Sequence, residues 1–89
     1  MQVLVICRDD PGGNQDEFRR LVPAETAALR ELKAKGILTQ AWTPGRPGAM
    51  LLLDVADEAA AADLMAGFPL VQAGLISTEI VPLHPLDLG

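Results

Sequence analysis

The central segment of the chain reads ILTQAWTPGRPGAMLLLDV, from Ile37 to Val55. Ile37 to Thr43 and Ala49 to Val55 are both apolar and rich in residues that favour strands. The five residues between them, Pro44-Gly45-Arg46-Pro47-Gly48, are typical of a turn. The segment therefore predicts a β-hairpin in the middle of the chain.

A strand and a helix are predicted before the hairpin. Gln2 to Arg8 contains β-branched residues and is apolar on both sides, which is typical of a central strand. Asn14 is a suitable N-cap for a helix that runs to about Lys35 and stops at Gly36. Because proline removes a helix hydrogen bond, we expect a kink or a break near Leu21 to Pro23.

A second helix and a fourth strand are predicted after the hairpin. Asp57 is placed to cap a helix from Glu58 to about Gly67. Phe68-Pro69-Leu70 is read as a loop, followed by a short turn and a strand from Ile76 to Val81. The tail from Pro82 to Gly89 is expected to be irregular.

This β-α-β-β-α-β order predicts one α+β domain of the ferredoxin-like class over residues 1–89. Both helices would cover one face of a four-stranded antiparallel sheet, which leaves the other face open. The first and third strands carry apolar residues toward both faces, and an uncovered apolar face is usually an interface. We therefore expect the chain to dimerise through the open sheet face. The apolar residues that alternate in these strands are Val3, Leu4, Val5, Ile6, Cys7, Met50, Leu51, Leu52 and Leu53.

Composition argues against several classes of partner. The chain has 7 basic and 12 acidic residues, a net charge of −5, and no basic run that would bind nucleic acid or an anionic membrane. Its one cysteine, Cys7, has no partner for an internal disulfide. Met1 leads directly into an apolar strand, unlike a signal peptide. We expect a cytoplasmic protein.

Glu25 is the principal candidate for chemistry. Counted at about 100° per residue, it falls inside the apolar stripe of the first helix and not on its polar side. A carboxylate that faces a core must be paired or line a cavity, and burial would raise its pKa toward the range useful for proton transfer. Two structural alternatives stay open: a kink that turns Glu25 to solvent, or an ion pair with Arg or Lys. The stripe consists of Phe18, Leu21, Val22, Ala28, Leu29 and Leu32.

Four other residues are candidates for substrate binding. Trp42 is expected on the same strand face as Leu38 and Gln40, so the indole is placed either to wall a pocket or to pack in a core or interface, and Gln40 is a polar candidate for the same pocket. Arg46 in the hairpin turn is suited to bind a substrate carboxylate, or is simply a solvated charge. His84 is an acid–base candidate or an exposed tail residue. One distant histidine and one cysteine predict no metal site.

Three short pieces of the sequence resemble the muconolactone Δ-isomerase family. The strongest runs from Ala24-Glu25 to Gly36 and on to Trp42, similar to a helix glutamate, a helix-ending glycine and a strand tryptophan in that family. Phe68-Pro69-Leu70 is similar to a Leu-Pro-Leu segment, and Leu83-His84-Pro85 resembles the closing His-Pro. The resemblance implies a dimeric α/β-barrel enzyme without a cofactor, in which Glu25 is the proton shuttle.

The family's pattern changes in the hairpin. Family members carry Tyr and Asn in and just after this turn, whereas this chain has Arg46 to Met50 there and no tyrosine. The resemblance implies an isomerase of aromatic catabolism that acts on a lactone or related cyclic carbonyl, and a homodimer or a larger ring such as a decamer. Alternatives are a cofactor-independent monooxygenase of the dimeric α/β-barrel group, a dehydrating or dehalogenating relative, and a non-enzymatic ligand-binding or assembly module.

Overall fold

A computed structural model describes all 89 residues, Met1–Gly89. The predicted β-α-β-β-α-β order is confirmed, with one additional short helix before the last strand. The four strands form one antiparallel sheet in the order β2-β3-β1-β4. The elements are β1 (Gln2–Asp9), α1 (Gln15–Ala34), β2 (Leu38–Trp42), β3 (Ala49–Asp54), α2 (Glu58–Ala66), α3 (Pro69–Gln72) and β4 (Ile76–Pro82).

Helix α1 begins and ends where its sequence predicts, but it does not break. The side chain of Asn14 accepts a hydrogen bond from the Glu17 N–H at 3.0 Å, and Gly36 follows the helix with a φ of +76°. The expected break near Pro23 is wrong, because the helix is continuous through it. Pro23 lies on the exposed side, where water is available to the carbonyl that loses its N–H donor.

The segment after α2 is more regular than its sequence predicts. Residues read as a loop and turn form α3, a single helical turn with Pro69 as its first residue. Proline is favoured at that position because its φ is already helical and its missing N–H has no helical partner to lose. Phe68, the N-cap residue, makes no side-chain capping hydrogen bond.

A β-bulge interrupts β2. Leu38 lies opposite Leu53 of β3, yet Gln40, two residues later, lies opposite Leu52, only one residue away. Thr39 is the extra residue, and its hydroxyl donates to the Leu52 carbonyl oxygen at 3.1 Å. An extra residue in one strand moves the following side chains to the other face of the sheet.

The bulge separates residues that simple alternation would place together. Leu38 is buried on the face covered by the helices, whereas Gln40 and Trp42 lie on the open face. Trp42 is opposite Met50 and is 45% exposed. The expectation that Leu38, Gln40 and Trp42 share one face is therefore wrong.

The two faces of the sheet differ in how well they are covered. On the helix side most of the apolar residues are buried, and Val3, Val5 and Leu53 are completely inaccessible. On the open side the apolar residues are only half-buried: Leu4, Ile6, Met50, Leu52 and Val81. No helix has both the length and the apolar character needed to cross a bilayer.

Candidate functional site

Glu25 lies in the middle of α1 and points toward the sheet. It is only 8% exposed and is the one charged residue among the buried residues of the chain. Its Oε1 accepts a hydrogen bond from the backbone N–H of Leu70, 3.0 Å away in the first turn of α3. Neither structural alternative holds, since Glu25 is not turned to solvent and forms no ion pair.

The second carboxylate oxygen of Glu25 has no hydrogen-bond partner within the chain. Oε1 makes the only hydrogen bond of this side chain. No polar side-chain atom in the structure is both sealed from solvent and without a partner. The free oxygen, Oε2, is therefore not sealed from solvent, and Glu25 lines a cavity.

This cavity has a volume of about 130 Å³ and lies between α1 and the covered face of the sheet. Seven of its ten lining residues are hydrophobic, so a bound molecule would meet mainly apolar walls. We call it the Glu25 cavity. Its apolar walls come from α1, from the sheet and from α3, and include Phe18, Leu29, Leu51, Leu70 and Ile76.

Burial controls the acid–base state of two groups in the Glu25 cavity. Desolvation raises the pKa of the Glu25 carboxyl, and the hydrogen bond from Leu70 lowers it by less. Burial also raises the pKa of the Cys7 thiol to about 11, with further contributions from the negative charges of Glu25 and Asp9. Cys7 is therefore a protonated thiol at neutral pH and a poor nucleophile.

Asp9 is a site residue that the sequence analysis missed. It is the last residue of β1 and lines the Glu25 cavity, and its side chain makes no hydrogen bond or ion pair within the chain. A signal for it existed, because side chains two apart share a strand face and Asp9 follows Val5 and Cys7 in that alternation. The sequence predicts a strand that ends at Arg8, one residue too early to include Asp9.

Gly48 brings the hairpin against β1 at the rim of the Glu25 cavity. Its φ is +134°, and a Cβ at this position would overlap the carbonyl oxygen of Cys7. Only glycine combines that backbone conformation with so close an approach. The end of the hairpin turn is therefore a fixed part of the cavity wall.

The other candidate residues lie away from Glu25 within one chain. Trp42 and Gln40 are on the opposite face of the sheet, and His84 is exposed in the tail. Arg46 is exposed in the hairpin turn and lines a second, polar pocket of about 420 Å³, which shares only Asp9 with the Glu25 cavity. The structure therefore places one of the five candidate residues at this cavity.

No set of three His, Cys, Asp or Glu side chains is grouped in a way that would hold a metal ion. The chemistry available at the Glu25 cavity is thus that of a desolvated carboxylate with one free oxygen, a second carboxylate at Asp9, and the Cys7 thiol. Such a set is suited to moving protons on a small, mostly apolar molecule.

Comparison with known families gives the affiliation of the chain. A sequence profile described as muconolactone delta-isomerase matches residues 3–87. The chain belongs to the muconolactone delta-isomerase family. The affiliation places it in a family of enzymes that convert small molecules. No curated protein sequence matches it.

Two solved structures share this family's fold with the chain. A crystal structure of muconolactone isomerase is 20% identical, with a TM-score of 0.78 over 100% of this chain and 96% of the other. The 5-chloro-2-hydroxyhydroquinone dehydrochlorinase of Burkholderia phenoliruptrix AC1100, in complex with 2,5-dihydroxybenzoquinone, is 21% identical, with a TM-score of 0.73 over 94% of each chain. At these identities the likeness shows the fold.

Proposed function

We propose that this chain is a cofactor-free isomerase-like enzyme that moves a proton on a lactone or related small cyclic carbonyl compound, with Glu25 as the proton shuttle. One observation carries the proposal: a buried, unpaired carboxylate presents a free oxygen to an apolar cavity. A structural acid at this depth would be held by a cationic partner, and Glu25 has none.

The proposed reaction follows from the placement of the carboxylate. Ionised Glu25 takes a proton from a carbon next to the substrate carbonyl, and the C–H electron pair moves into the carbonyl to form an enolate. Glu25 then returns the proton to the conjugated position, so the double bond shifts and no cofactor is needed. Burial raises the pKa of Glu25, and a stronger base removes a carbon-bound proton more readily.

The Leu70 N–H has a positioning role in this scheme. By donating to Oε1 it holds the carboxylate in one orientation and leaves Oε2 without a partner in the chain. A fixed base saves the entropy of orienting it during reaction. The hydrogen bond also prevents the desolvated carboxylate from losing all of its polar contacts.

The remaining candidate residues are proposed to act through assembly. Trp42, Gln40 and His84 lie outside the Glu25 cavity of their own chain. A dimer of open sheet faces would bury Trp42 and Gln40 between the subunits, and His84 in the exposed tail would meet a substrate only at a neighbouring subunit. We propose Arg46 as a binding group for a substrate carboxylate at the polar pocket beside Asp9.

We propose a homodimer formed by the open sheet faces, with a larger ring as a further assembly. The half-buried side chains on that face form an apolar surface that a second sheet would cover. The tail supports assembly in the same way, because Leu86 and Leu88 are 81% and 87% exposed. Apolar tails of this kind are expected to pack on a neighbouring subunit.

The test of the proposed reaction is turnover of muconolactone by the wild-type chain and by Glu25→Gln. Glutamine keeps the shape and can accept the Leu70 N–H, but it cannot carry the proton. We expect kcat to fall by about a hundredfold or more, the usual contribution of a general base. Glu31→Gln is the matched control, because Glu31 is exposed on the same helix and pairs only with Lys35.

Two results would contradict the proposal. Full activity of Glu25→Gln would show that the carboxylate is not the shuttle. A wild-type chain that turns over neither lactones nor chlorinated hydroxyhydroquinones would favour the non-enzymatic ligand-binding or assembly alternative. Release of chloride from the chlorinated ring, abolished in Glu25→Gln, would instead assign the same base to an elimination.

A further inference from the structure

The Cys7 thiol is a group of the Glu25 cavity that the proposed reaction leaves unused. Cys7 is 6% exposed and lies on the covered face of the sheet, where it lines the cavity together with Glu25. The negative charge of Glu25 contributes to raising the pKa of this thiol, so the two side chains are close enough to interact. The sulfur makes no hydrogen bond within the chain, and its proton is therefore free for a ligand.

The proposed reaction needs a hydrogen-bond donor, and only one side chain of the cavity offers it. When the C–H electron pair moves into the carbonyl, the carbonyl oxygen gains negative charge, which a donor beside it stabilises. The carboxylates of Asp9 and Glu25 only accept hydrogen bonds when they are ionised. The remaining lining residues, apart from Cys7, have hydrocarbon side chains or are glycine. The S–H group of Cys7 is therefore the side-chain donor that the cavity contains.

The Glu25 cavity is small enough for one ring to come within reach of both groups. Its volume is about 130 Å³. An apolar protein cavity of about 150 Å³ accommodates one benzene molecule. A small cyclic carbonyl compound that fills this space can therefore present a C–H group to Glu25 and its carbonyl oxygen to Cys7.

The carboxylate that takes the substrate proton also controls the acidity of the thiol. Burial and the charge of ionised Glu25 are the two largest causes that raise the pKa of Cys7 to about 11, so the sulfur keeps its proton at neutral pH. Once Glu25 has accepted the substrate proton it is neutral, and its contribution is lost. The S–H group then becomes a stronger donor at the stage at which the enolate oxygen carries its charge.

We propose that the Cys7 thiol donates a hydrogen bond to the carbonyl oxygen of a ligand in the Glu25 cavity and thereby stabilises the enolate. The proton stays on the sulfur throughout, while Glu25 takes and returns the carbon-bound proton. Cys7 is then a second catalytic residue, which acts as a hydrogen-bond donor and not as a nucleophile. This inference rests on the proposed function for the reaction, but the hydrogen bond to a carbonyl is observable without turnover.

Two substitutions of Cys7 test its effect on turnover of muconolactone. Cys7→Ala removes the donor, whereas Cys7→Ser replaces the weak S–H donor with a hydroxyl. The removal of one oxyanion donor lowers kcat by about 10²–10³. Since a thiol is a weaker donor, we expect kcat to fall by about tenfold or more in Cys7→Ala. The kcat of Cys7→Ser should lie closer to that of the wild-type chain.

Thermal unfolding of the same variants separates a donor from a residue that only packs. Both variants lose the sulfur from the core, but serine also buries a hydroxyl that has no partner while the cavity is empty, which is unfavourable. We therefore expect a lower Tm for Cys7→Ser than for Cys7→Ala. A higher kcat in the less stable variant would support the donor, whereas kcat values that follow the Tm values would contradict it.

Infrared spectroscopy of the intact wild-type protein observes the hydrogen bond without turnover. The chain has one cysteine, so its S–H stretching band belongs to Cys7. The probe is excess γ-butyrolactone, a saturated lactone that has a carbonyl and no double bond to move. We expect the band to move to lower frequency when this lactone is added. The control is the double variant Ile6→Cys, Cys7→Ala, whose thiol lies on the open face and should not respond.

The outcomes separate this inference from the proposed reaction. An S–H band that γ-butyrolactone does not move would overturn the inference, whatever the kinetic result for Glu25→Gln. Wild-type kcat in Cys7→Ala would overturn it as well. A shifted band in a chain that turns over no lactone would support the thiol as the carbonyl-binding donor of the cavity and contradict the proposed isomerisation.

Discussion

The two faces of the sheet are built from the same strands but differ in how far their side chains are buried. Val3, Val5 and Leu53 face the helices and are inaccessible, whereas their neighbours Leu4 and Leu52 face the other way and stay half-buried. One chain therefore completes a core on one face only. The comparison shows that apolar residues alternating in one strand complete a core on one face and leave a half-buried apolar surface on the other.

The apolar packing of the covered face is interrupted at the Glu25 cavity. There a carboxylate replaces an apolar side chain in the stripe of α1, and the space beside it stays open. On the open face the polar residues near the apolar surface, such as Gln40 and Glu79, are exposed. The buried carboxylate thus lies on the covered face, and the proposed dimer interface on the open one.

Truncation of a core leucine should show the largest difference between the faces. Leu53→Ala removes a side chain that is completely buried, so we expect the free energy of unfolding to fall by about 2–5 kcal/mol. Leu52→Ala is the matched control on the next residue and the other face. Its cost should be smaller and should vary with protein concentration, as expected for a side chain buried by assembly. Urea denaturation at two protein concentrations measures both, and equal, concentration-independent losses would contradict the distinction.

Thiol reactivity should differ strongly between adjacent positions of β1. With its pKa raised to about 11 from 9.0, the Cys7 thiol has about a hundredfold less thiolate near neutral pH than an ordinary cysteine. Alkylation by iodoacetamide should be slower by at least that factor. Removing the nearby charge in Glu25→Gln should speed it.

The control for this experiment moves the thiol to the other face. In the double variant Ile6→Cys, Cys7→Ala the cysteine lies on the open face, so it should react quickly in dilute protein and become protected as subunits associate. Rapid alkylation of Cys7 in the wild-type chain would show that the covered face is open to solvent.

A charge on the open face should weaken self-association. Ile6→Lys places an ammonium in the middle of the proposed interface, and desolvating it without a partner is unfavourable. We expect the dimer Kd to rise by at least about tenfold, with the monomer still folded. Sedimentation velocity measures the effect, and Ala62→Lys on the exposed side of α2 is the control. An unchanged dimer in Ile6→Lys would place the interface elsewhere.

The smallest expected effect is the pH dependence that Glu25 contributes to stability. Its pKa is higher in the folded chain than the ordinary value of 4.5, so the folded state keeps this proton over a range in which the unfolded state has lost it. The contribution of Glu25 to the free energy of unfolding therefore falls as the pH rises above 4.5. Below that value both states hold the proton.

Thermal unfolding of the wild-type chain and Glu25→Gln between pH 4 and pH 8 tests this sign. The Gln variant should gain stability relative to the wild-type chain as the pH rises. A Glu25-dependent gain in stability with rising pH would mean that the hydrogen bond from Leu70 outweighs desolvation.

The element order and the position of Glu25 could be predicted from sequence because both depend on periodicity. Alternation defines the strands, and the 100° step of a helix places Glu25 among apolar side chains. The ends of α1 could be predicted from its capping residues, because Asn14 and Gly36 act through local hydrogen bonds and backbone angles. Because these features depend on residues close together in the chain, a single sequence is enough to predict them.

The parts that were missed depend on tertiary contacts. The bulge at Thr39 arises in the pairing of β2 with β3, and it moved Trp42 to the face opposite the Glu25 cavity. Helix α3 has no side-chain cap of its own and receives its polar partner from Glu25, 45 residues away in the sequence. Asp9 joined the site because β1 continues one residue further than expected.

The hydrogen bond between Glu25 and Leu70 has a consequence for how such an enzyme diversifies. One carboxylate both provides the proposed base and anchors the first turn of α3, because Phe68 provides no cap. In a mutagenised library, selection for thermal stability and selection for turnover would therefore both retain glutamate at position 25. Changes in substrate preference are then expected at other lining positions of the Glu25 cavity, such as Asp9, where a substitution leaves the hydrogen bond between Leu70 and Glu25 intact.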